Sequence, residues 1–198
     1  MCSNKIHNRV AICAGEINKT KRLFFHCPPS FFLRPQGDSL PLAKYRQDAI
    51  FRATNKISSR ILNDSIAHAN ILIETMIGLA GPDDVVRIYS GDLPSGSFSE
   101  PLKNTKAKEI LIVLDDDSKL QWLESFPPSC LERIKVRKIS RPRPNHFFSV
   151  SSGAFRFETE AATFRAEANF NEPETSEKLT KAFERYWTDA TPVSLVQA

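Results

Sequence analysis

Five consecutive apolar residues at positions 110–114 constrain the fold of this chain most strongly. A strand with no polar position is typical of the middle of an α/β sheet, where both faces are buried. Residues 85–89 predict a second strand, and residues 66–79 predict a helix that is apolar on most sides and therefore lies in the core. Because helices and strands alternate, we predict an α/β domain with a mixed β-sheet flanked by helices.

The C-terminal half continues this alternation. Residues 97–104 and 120–126 predict short helices, and residues 134–139 predict a half-exposed strand. A hairpin is expected around Ser152-Gly153, followed by one more alternating strand at 164–170.

The last predicted element is an amphipathic helix. Asn171 is expected to cap it, with Pro173 in the first turn and Glu174 at the reciprocal capping position. Its apolar face, expected to dock on the sheet, consists of Leu179, Ala182, Phe183, Tyr186 and Trp187.

The first 41 residues predict an irregular N-terminal segment, because prolines at positions 28, 29, 35 and 41 interrupt it. Its apolar side chains, among them Phe24, Phe25, Phe31 and Phe32, could pack on the domain or bind a protein partner. The domain itself is expected over residues 42–198, with a helical lead-in over residues 42–65.

Composition limits the classes of function. The net charge of +4 is mild, and no apolar run is long enough for a membrane-spanning helix or a signal peptide, so we expect a cytoplasmic protein. The four cysteines are widely spaced and lack a matching histidine pair, so we expect free thiols, no metal site and no cofactor.

Residues 145–158 contain the most distinctive pattern. His146 begins an apolar strand, Ser152-Gly153 forms a turn, and a second strand follows. This layout resembles the H-x-K-x-x-x-x-D signature of the phospholipase D superfamily, with Phe148 at the lysine position and Gly153 at the aspartate position. The order of elements from Ile66 to Trp187, about three-fifths of the chain, resembles one repeat of that family, and Asn169 also fits it.

The resemblance implies a single-repeat phospholipase D-like α/β domain that pairs with a second copy as a homodimer. In active members the histidine attacks phosphorus, a lysine neutralises the phosphoryl oxygens and an aspartate orients the imidazole. Phe148 cannot supply that positive charge, and Gly153 cannot orient the ring. We therefore predict a degenerate, non-catalytic member, with His146 as the candidate catalytic residue if activity remains.

A basic run leads into His146. Residues two apart on a strand share a face, and Arg141-Pro142-Arg143-Pro144 is expected to be stiff and extended. Such a surface suits phosphate groups, although charge also protects an exposed edge strand from aggregation. Arg156, on the following strand, could supply charge from a different position. The predicted phosphate- or nucleic-acid-binding residues are Arg133, Lys135, Arg137, Arg141, Arg143 and Arg156.

Acidic residues allow two interpretations. Asp115-Asp116-Asp117 follow the buried strand, where they could hold magnesium or cap the next helix, and the second interpretation is favoured. Glu158 and Glu160 are expected to form salt bridges with Arg156 or Arg165.

Three functions therefore remain open from the sequence. The preferred one is a non-catalytic phospholipase D-like domain that binds phosphate-bearing ligands, nucleic acid above all, or serves as a dimerising structural subunit. The alternatives are a divergent phosphodiesterase or nuclease using His146, and a protein-interaction module using the Phe-rich N-terminus.

Overall fold

The computed structural model describes residues 41–160 and 165–195, which belong to one compact unit. The predictions for the N-terminal segment, including its phenylalanines and Cys2, Cys13 and Cys27, lie outside these residues. No helix within the described ranges is long and apolar enough to cross a membrane.

The described residues form a mixed sheet of eight strands flanked by helices, which confirms the predicted fold class. The strand order is β1-β7-β6-β5-β2-β3-β4-β8. Strands β2, β3 and β4 are parallel to each other, and the remaining pairs are antiparallel. The helices are α1 (Leu42–Thr54), α2 (Ile66–Gly78), α3 (Ser95–Asn104), α4 (Pro128–Leu131) and α5 (Pro173–Asp189), with a 3-10 helix at Gln121–Ser125. The strands are β1 (Ile61–Asn63), β2 (Val85–Ser90), β3 (Glu109–Leu114), β4 (Ile134–Lys138), β5 (Phe147–Val150), β6 (Phe155–Glu160), β7 (Arg165–Asn169) and β8 (Thr191–Pro192).

Two buried clusters hold the sheet between its helices. The larger one joins α2 and α3 to residues such as Ile88, Ile110 and Ile112, which are fully buried. The smaller one joins α5 to the other side of the same strands, where Phe183 packs with Tyr89 and Phe147. The continuous apolar run of β3 is therefore explained, since hydrophobic side chains contact it from both directions.

The helical lead-in is shorter than the sequence predicts. Helix α1 ends at Thr54, and Lys56 follows with a positive φ of 49°, a conformation that a helix does not continue through. Residues 61–63 form strand β1, in which Ile61 and Asn63 are buried and Leu62 is exposed. The prediction of a helix beyond Thr54 is thus corrected, because the burial of residues 61–63 alternates with the period of two that is typical of a strand.

Helix α5 begins differently from the prediction. Asn171 does not cap it, because its side-chain Nδ2 donates to the carbonyl oxygen of Lys56 at 2.7 Å. The helix starts after Glu172, whose carboxylate accepts hydrogen bonds from Asn169 Nδ2 at 2.7 Å and Thr175 Oγ1 at 2.5 Å. The short helix α4 was not predicted, although Pro127-Pro128 suits a helix start.

The predicted hairpin is confirmed between β5 and β6. Gly153 has a φ of +103°, a conformation that side-chain-bearing residues rarely adopt. A Cβ atom at this position would also come within 3.3 Å of Pro173. The glycine at the position of the family's aspartate is therefore required by the turn and by the approach of α5.

Candidate functional site

His146 lies at the edge of the sheet where the parallel strands end. It precedes β5, and the antiparallel pairing of Phe147 with Tyr89 places the start of β5 beside the end of β2. Gly91, just after β2, lies against the imidazole: a Cβ atom there would be 3.2 Å from His146 Cε1. The carboxyl ends of parallel strands are where α/β proteins commonly build their sites.

Carboxylates face both nitrogens of the His146 ring. Nδ1 lies 2.9 Å from Glu158 Oε2, and Nε2 lies 3.4 Å from Asp115 Oδ2. The hydrogen bond with Glu158 raises the pKa of His146 above its ordinary value of 6.5, burial opposes this, and Asp115 adds to the rise. An imidazole that donates to two carboxylates carries a proton on each nitrogen, so this geometry favours the imidazolium form.

Glu158 also connects the histidine to a buried arginine. Its Oε1 accepts from Arg156 Nη1 at 3.3 Å, and Arg156 is only 2% exposed. Arg156 Nε donates to Asn63 Oδ1 on β1 at 3.2 Å. Burial acts to raise the pKa of Glu158, but its hydrogen bond with His146 and the charge of Arg156 outweigh burial and lower it. Opposite charges therefore alternate through this buried network, which ties β1 and β6 to the start of β5.

A second branch of the network passes through Asp115. Tyr89 Oη donates to Asp115 Oδ1 at 2.8 Å, and the backbone N–H of Arg143 donates to Tyr89 Oη at 2.6 Å. Burial and the hydrogen bond with Asp115 raise the pKa of Tyr89 above its usual range, although the contact with Arg143 lowers it. Tyr89 is therefore a neutral hydroxyl that links Asp115 to the segment before His146.

Phe148, at the lysine position of the family signature, is part of the core. It is 4% exposed, and its ring stacks on Phe98 with centroids 5.8 Å apart. Arg156 is its partner across the β5–β6 pair, with the guanidinium carbon 5.8 Å from the Phe148 ring centroid. The structure thus places a positive charge close to the lysine position, but that charge is ion-paired with Glu158.

A pocket of about 90 Å³ adjoins these residues. Its polar lining includes Ser90 and Asn70, and the carboxylates of Asp92 and Glu158 also border it. Small-molecule sites commonly have volumes of roughly 300–1,000 Å³, so the pocket is small for a ligand. His146 and Arg156 border the pocket as well, and both carboxylates are ion-paired, Asp92 with Lys119 and Glu158 with His146 and Arg156.

The arginines at the ends of β4 make local structural contacts. Arg133 Nη1 donates to the carbonyl oxygens of Thr105 and Ala107, both at 2.9 Å. Arg137 Nη1 donates to the carbonyl oxygen of Trp187 at 2.7 Å, and its guanidinium stacks over that indole.

The other predicted cations occupy separate places. Lys135 pairs with Glu109 at 2.5 Å, and Arg143 Nη2 lies 3.5 Å from Asp189 Oδ2. Arg141 is exposed and makes no hydrogen bond or ion pair with the described part of the chain. The six predicted basic residues therefore do not converge on His146. Arg156 is connected to it through Glu158 and Arg143 through Tyr89 and Asp115, whereas the other four lie elsewhere.

Three functional neighbours of His146 were missed or assigned differently by the sequence analysis. Asp115 was expected to cap a helix, and Tyr89 carried no assignment. The predicted salt bridge of Glu158 with Arg156 is confirmed. Glu158 also provides the carboxylate that contacts His146, in place of the family's aspartate, whose position Gly153 occupies. The expectation that the imidazole lacks an orienting carboxylate was wrong, because Glu158 on β6 takes that place.

No protein-family model matches the sequence, and no curated protein is significantly similar to it. Solved structures are similar in fold. TrmBL2, an archaeal chromatin protein with a novel mode of DNA binding, matches 76% of this chain with a TM-score of 0.52 and 11% identity. This chain spans 63% of the TrmBL2 chain.

Two further matches are NucT from Helicobacter pylori and Nuc from Salmonella typhimurium, the latter a phospholipase D family member. NucT aligns over 100% of its own chain and 69% of this one, with a TM-score of 0.52 and 10% identity. Nuc aligns over 99% of its chain and 69% of this one, with a TM-score of 0.48 and 16% identity. The matches to TrmBL2 and NucT show that this chain shares their fold.

Formal charge is unevenly distributed along the sequence. Residues 41–198 contain 21 Lys and Arg and 21 Asp and Glu, so their formal charges cancel. Residues 1–40 contain six basic and two acidic residues and account for the whole net charge of +4. The domain that carries His146 is therefore neutral as a whole.

Proposed function

We propose that this chain is a non-catalytic phospholipase D-like domain in which the catalytic histidine has become part of the structural framework. One observation supports this most strongly: carboxylates face both ring nitrogens of His146, at 2.9 and 3.4 Å. A histidine attacks phosphorus through a nitrogen lone pair, and a doubly protonated imidazolium has none.

The surroundings of His146 support the same proposal. Phosphoryl transfer requires positive charge near the equatorial oxygens as negative charge develops on them. Phe148 offers none, and the charge of Arg156 is already neutralised by Glu158. The pocket beside His146 is small, at about 90 Å³, and the cations that border it, His146 and Arg156, are both paired with Glu158.

Hydrolysis of bis-p-nitrophenyl phosphate tests the loss of catalysis. We expect the purified full chain and its His146→Ala variant to give the same background rate. The divergent phosphodiesterase proposed from the sequence instead predicts turnover that His146→Ala abolishes, and that outcome would overturn the non-catalytic assignment. A Lys181→Ala variant controls for a contaminating phosphodiesterase, because Lys181 lies on the exposed face of α5, in an ion pair with Glu177.

As a structural subunit, the domain would form a homodimer, following the resemblance to single-repeat members of the family. Light scattering coupled to gel filtration measures the mass directly. A mass of twice 22.3 kDa at micromolar concentration supports dimerisation, and a mass of 22.3 kDa at all concentrations contradicts it.

Nucleic-acid binding is a second candidate, favoured by the similarity in fold to the DNA-binding protein TrmBL2. Basic charge that could serve it includes the six Lys and Arg of residues 1–40 and the exposed Arg141. Binding of labelled DNA and RNA by the full chain should weaken linearly with the logarithm of salt concentration. Arg141→Ala should reduce the slope by about one phosphate contact, whereas Lys181→Ala should leave it unchanged. No binding at low salt would exclude this candidate.

A further inference from the structure

The segment between β4 and β5 is attached to the network of His146. Ile139 N–H donates to Leu114 O at 2.9 Å at one end of the segment, and His146 lies at the other. Midway, the N–H of Arg143 donates to Tyr89 Oη. The segment contains Arg141 and Arg143, two of the residues predicted to contact phosphate.

A continuous set of contacts leads from the histidine to this attachment. His146 Nε2 faces Asp115 Oδ2, Asp115 Oδ1 accepts from Tyr89, and Tyr89 accepts from Arg143. Asp115 is therefore shared between the imidazolium and the hydroxyl that holds the segment.

Loss of one proton changes this arrangement in a defined way. A neutral imidazole has one N–H, and the shorter contact, from Nδ1 to Glu158, retains it. The lone pair of Nε2 then faces a carboxylate oxygen of Asp115, and that contact becomes repulsive. We infer that His146 is a proton-dependent latch, which holds the segment of residues 139–145 closed through Asp115 and Tyr89 when it is charged and releases it when it is neutral.

The other groups around the ring define when the latch acts. Glu158 and Arg156 face it from β6, Tyr89 lies edge-on from β2 with ring centroids 5.4 Å apart, and Asp92 borders the same pocket. Histidine is the only side chain here whose ordinary pKa lies between pH 5 and 8. The contact with Glu158 raises the pKa of His146 above its ordinary value, so the latch is closed below that raised pKa and opens as the pH rises through it.

The segment is also held from the side of α5. Arg143 pairs with Asp189, and its guanidinium lies 5.6 Å from the Tyr186 ring centroid. Neither contact involves His146, Asp115 or Tyr89. They limit the movement of the Arg143 side chain, whereas the backbone hydrogen bond to Tyr89 responds to Asp115.

This inference rests on the proposed function, because an imidazolium held between two carboxylates is the closed latch. NMR of the ¹⁵N-labelled full chain tests it by following the His146 ring and the amide exchange of Arg143 from pH 6 to 9. After correction for intrinsic exchange, Arg143 should lose about fivefold of its protection at the pH where His146 titrates, as expected for one lost hydrogen bond. The amide of Gly153, which donates to Val150 O, is the internal control and should not change.

A conservative variant separates the latch from general loosening. Tyr89→Phe removes the hydroxyl, so Arg143 should be unprotected at every pH while His146 still titrates. Protection of Arg143 that stays constant through the titration of wild-type His146 would overturn the latch. Phosphodiester hydrolysis that depends on His146 would overturn the proposed function instead, so the two failures are distinguishable.

Discussion

Replacing Glu158 with glutamine removes one negative charge from the middle of the buried network and keeps the shape of the side chain. Glu158 accepts from His146 Nδ1 and from both terminal nitrogens of Arg156, and its side chain is only 9% exposed. Without the carboxylate, the charge of Arg156 remains at 2% exposure beside the neutral amide of Asn63. Breaking a buried ion pair by removing one partner costs about 3–5 kcal/mol of unfolding free energy.

Thermal unfolding of the full chain measures this loss. Each kcal/mol shifts the Tm of a domain of this size by roughly 2–4 °C, so Glu158→Gln should lower the Tm by about 10 °C. Glu160→Gln is the matched control, since Glu160 lies on the same strand and pairs with Arg165 at 3.6 Å, but both side chains are at least half exposed. An exposed pair is worth about 0–1 kcal/mol.

Equal and small losses of unfolding free energy in the two variants would be inconsistent with a stabilising buried ion pair between Glu158 and Arg156. That result would mean that water reaches Arg156 and His146 freely, so that the network contributes no more than a surface pair. A large loss in Glu158→Gln alone supports a structural role for the network.

Three further predictions follow from the same contacts. The raised pKa of His146 contributes stability that is fully present below its unfolded pKa of about 6.5 and is lost as the pH rises through the folded pKa. The lowered pKa of Glu158 contributes stability that is lost as the pH falls below about 4.5. Chemical denaturation should therefore show greatest stability between about pH 4.5 and 6.5, and His146→Gln should remove the alkaline decline. Gly91→Ala places a Cβ atom 3.2 Å from His146 Cε1 and should cost about 1–2 kcal/mol in urea unfolding, whereas Gly96→Ala, with no atom within 4 Å, should be neutral or slightly stabilising. Phe148→Lys restores the family's lysine, yet it should lower stability by at least about 3 kcal/mol and give no phosphodiesterase activity, because the ring it removes packs on Phe98.

The sequence predicted the element order well because hydrophobic periodicity reports burial directly. The run at 110–114, the hairpin at Gly153 and the apolar face of α5 are all confirmed. The error at residues 55–65 has a local cause: Ile57 and Ile61 fit a helical period, but the chain leaves the helix at Thr54 and β1 begins at Ile61. Pairing of β1 with β7, about 100 residues later, decides that outcome, and no local pattern reports it.

The site was harder to predict than the fold. Asp115 and Glu158 lie 31 and 12 residues from His146 along the chain. They meet it because β3, β2, β5 and β6 are neighbours in that order in the sheet. The spacing of the signature around His146 indicated which residues are replaced, but it could not indicate that a carboxylate from the next strand takes over the contact with the ring.

The protonation state of His146 decides whether the imidazole is a structural cation or an available nucleophile. The ¹⁵N chemical shifts of its two ring nitrogens distinguish imidazolium from either neutral tautomer in the intact protein. At pH 6.5 we expect both nitrogens to be protonated in most molecules, with a fitted pKa above the ordinary value of 6.5 that falls in Glu158→Gln. A neutral ring at pH 6.5 would leave a nitrogen available to attack phosphorus, and the proposed structural role of His146 would then be wrong.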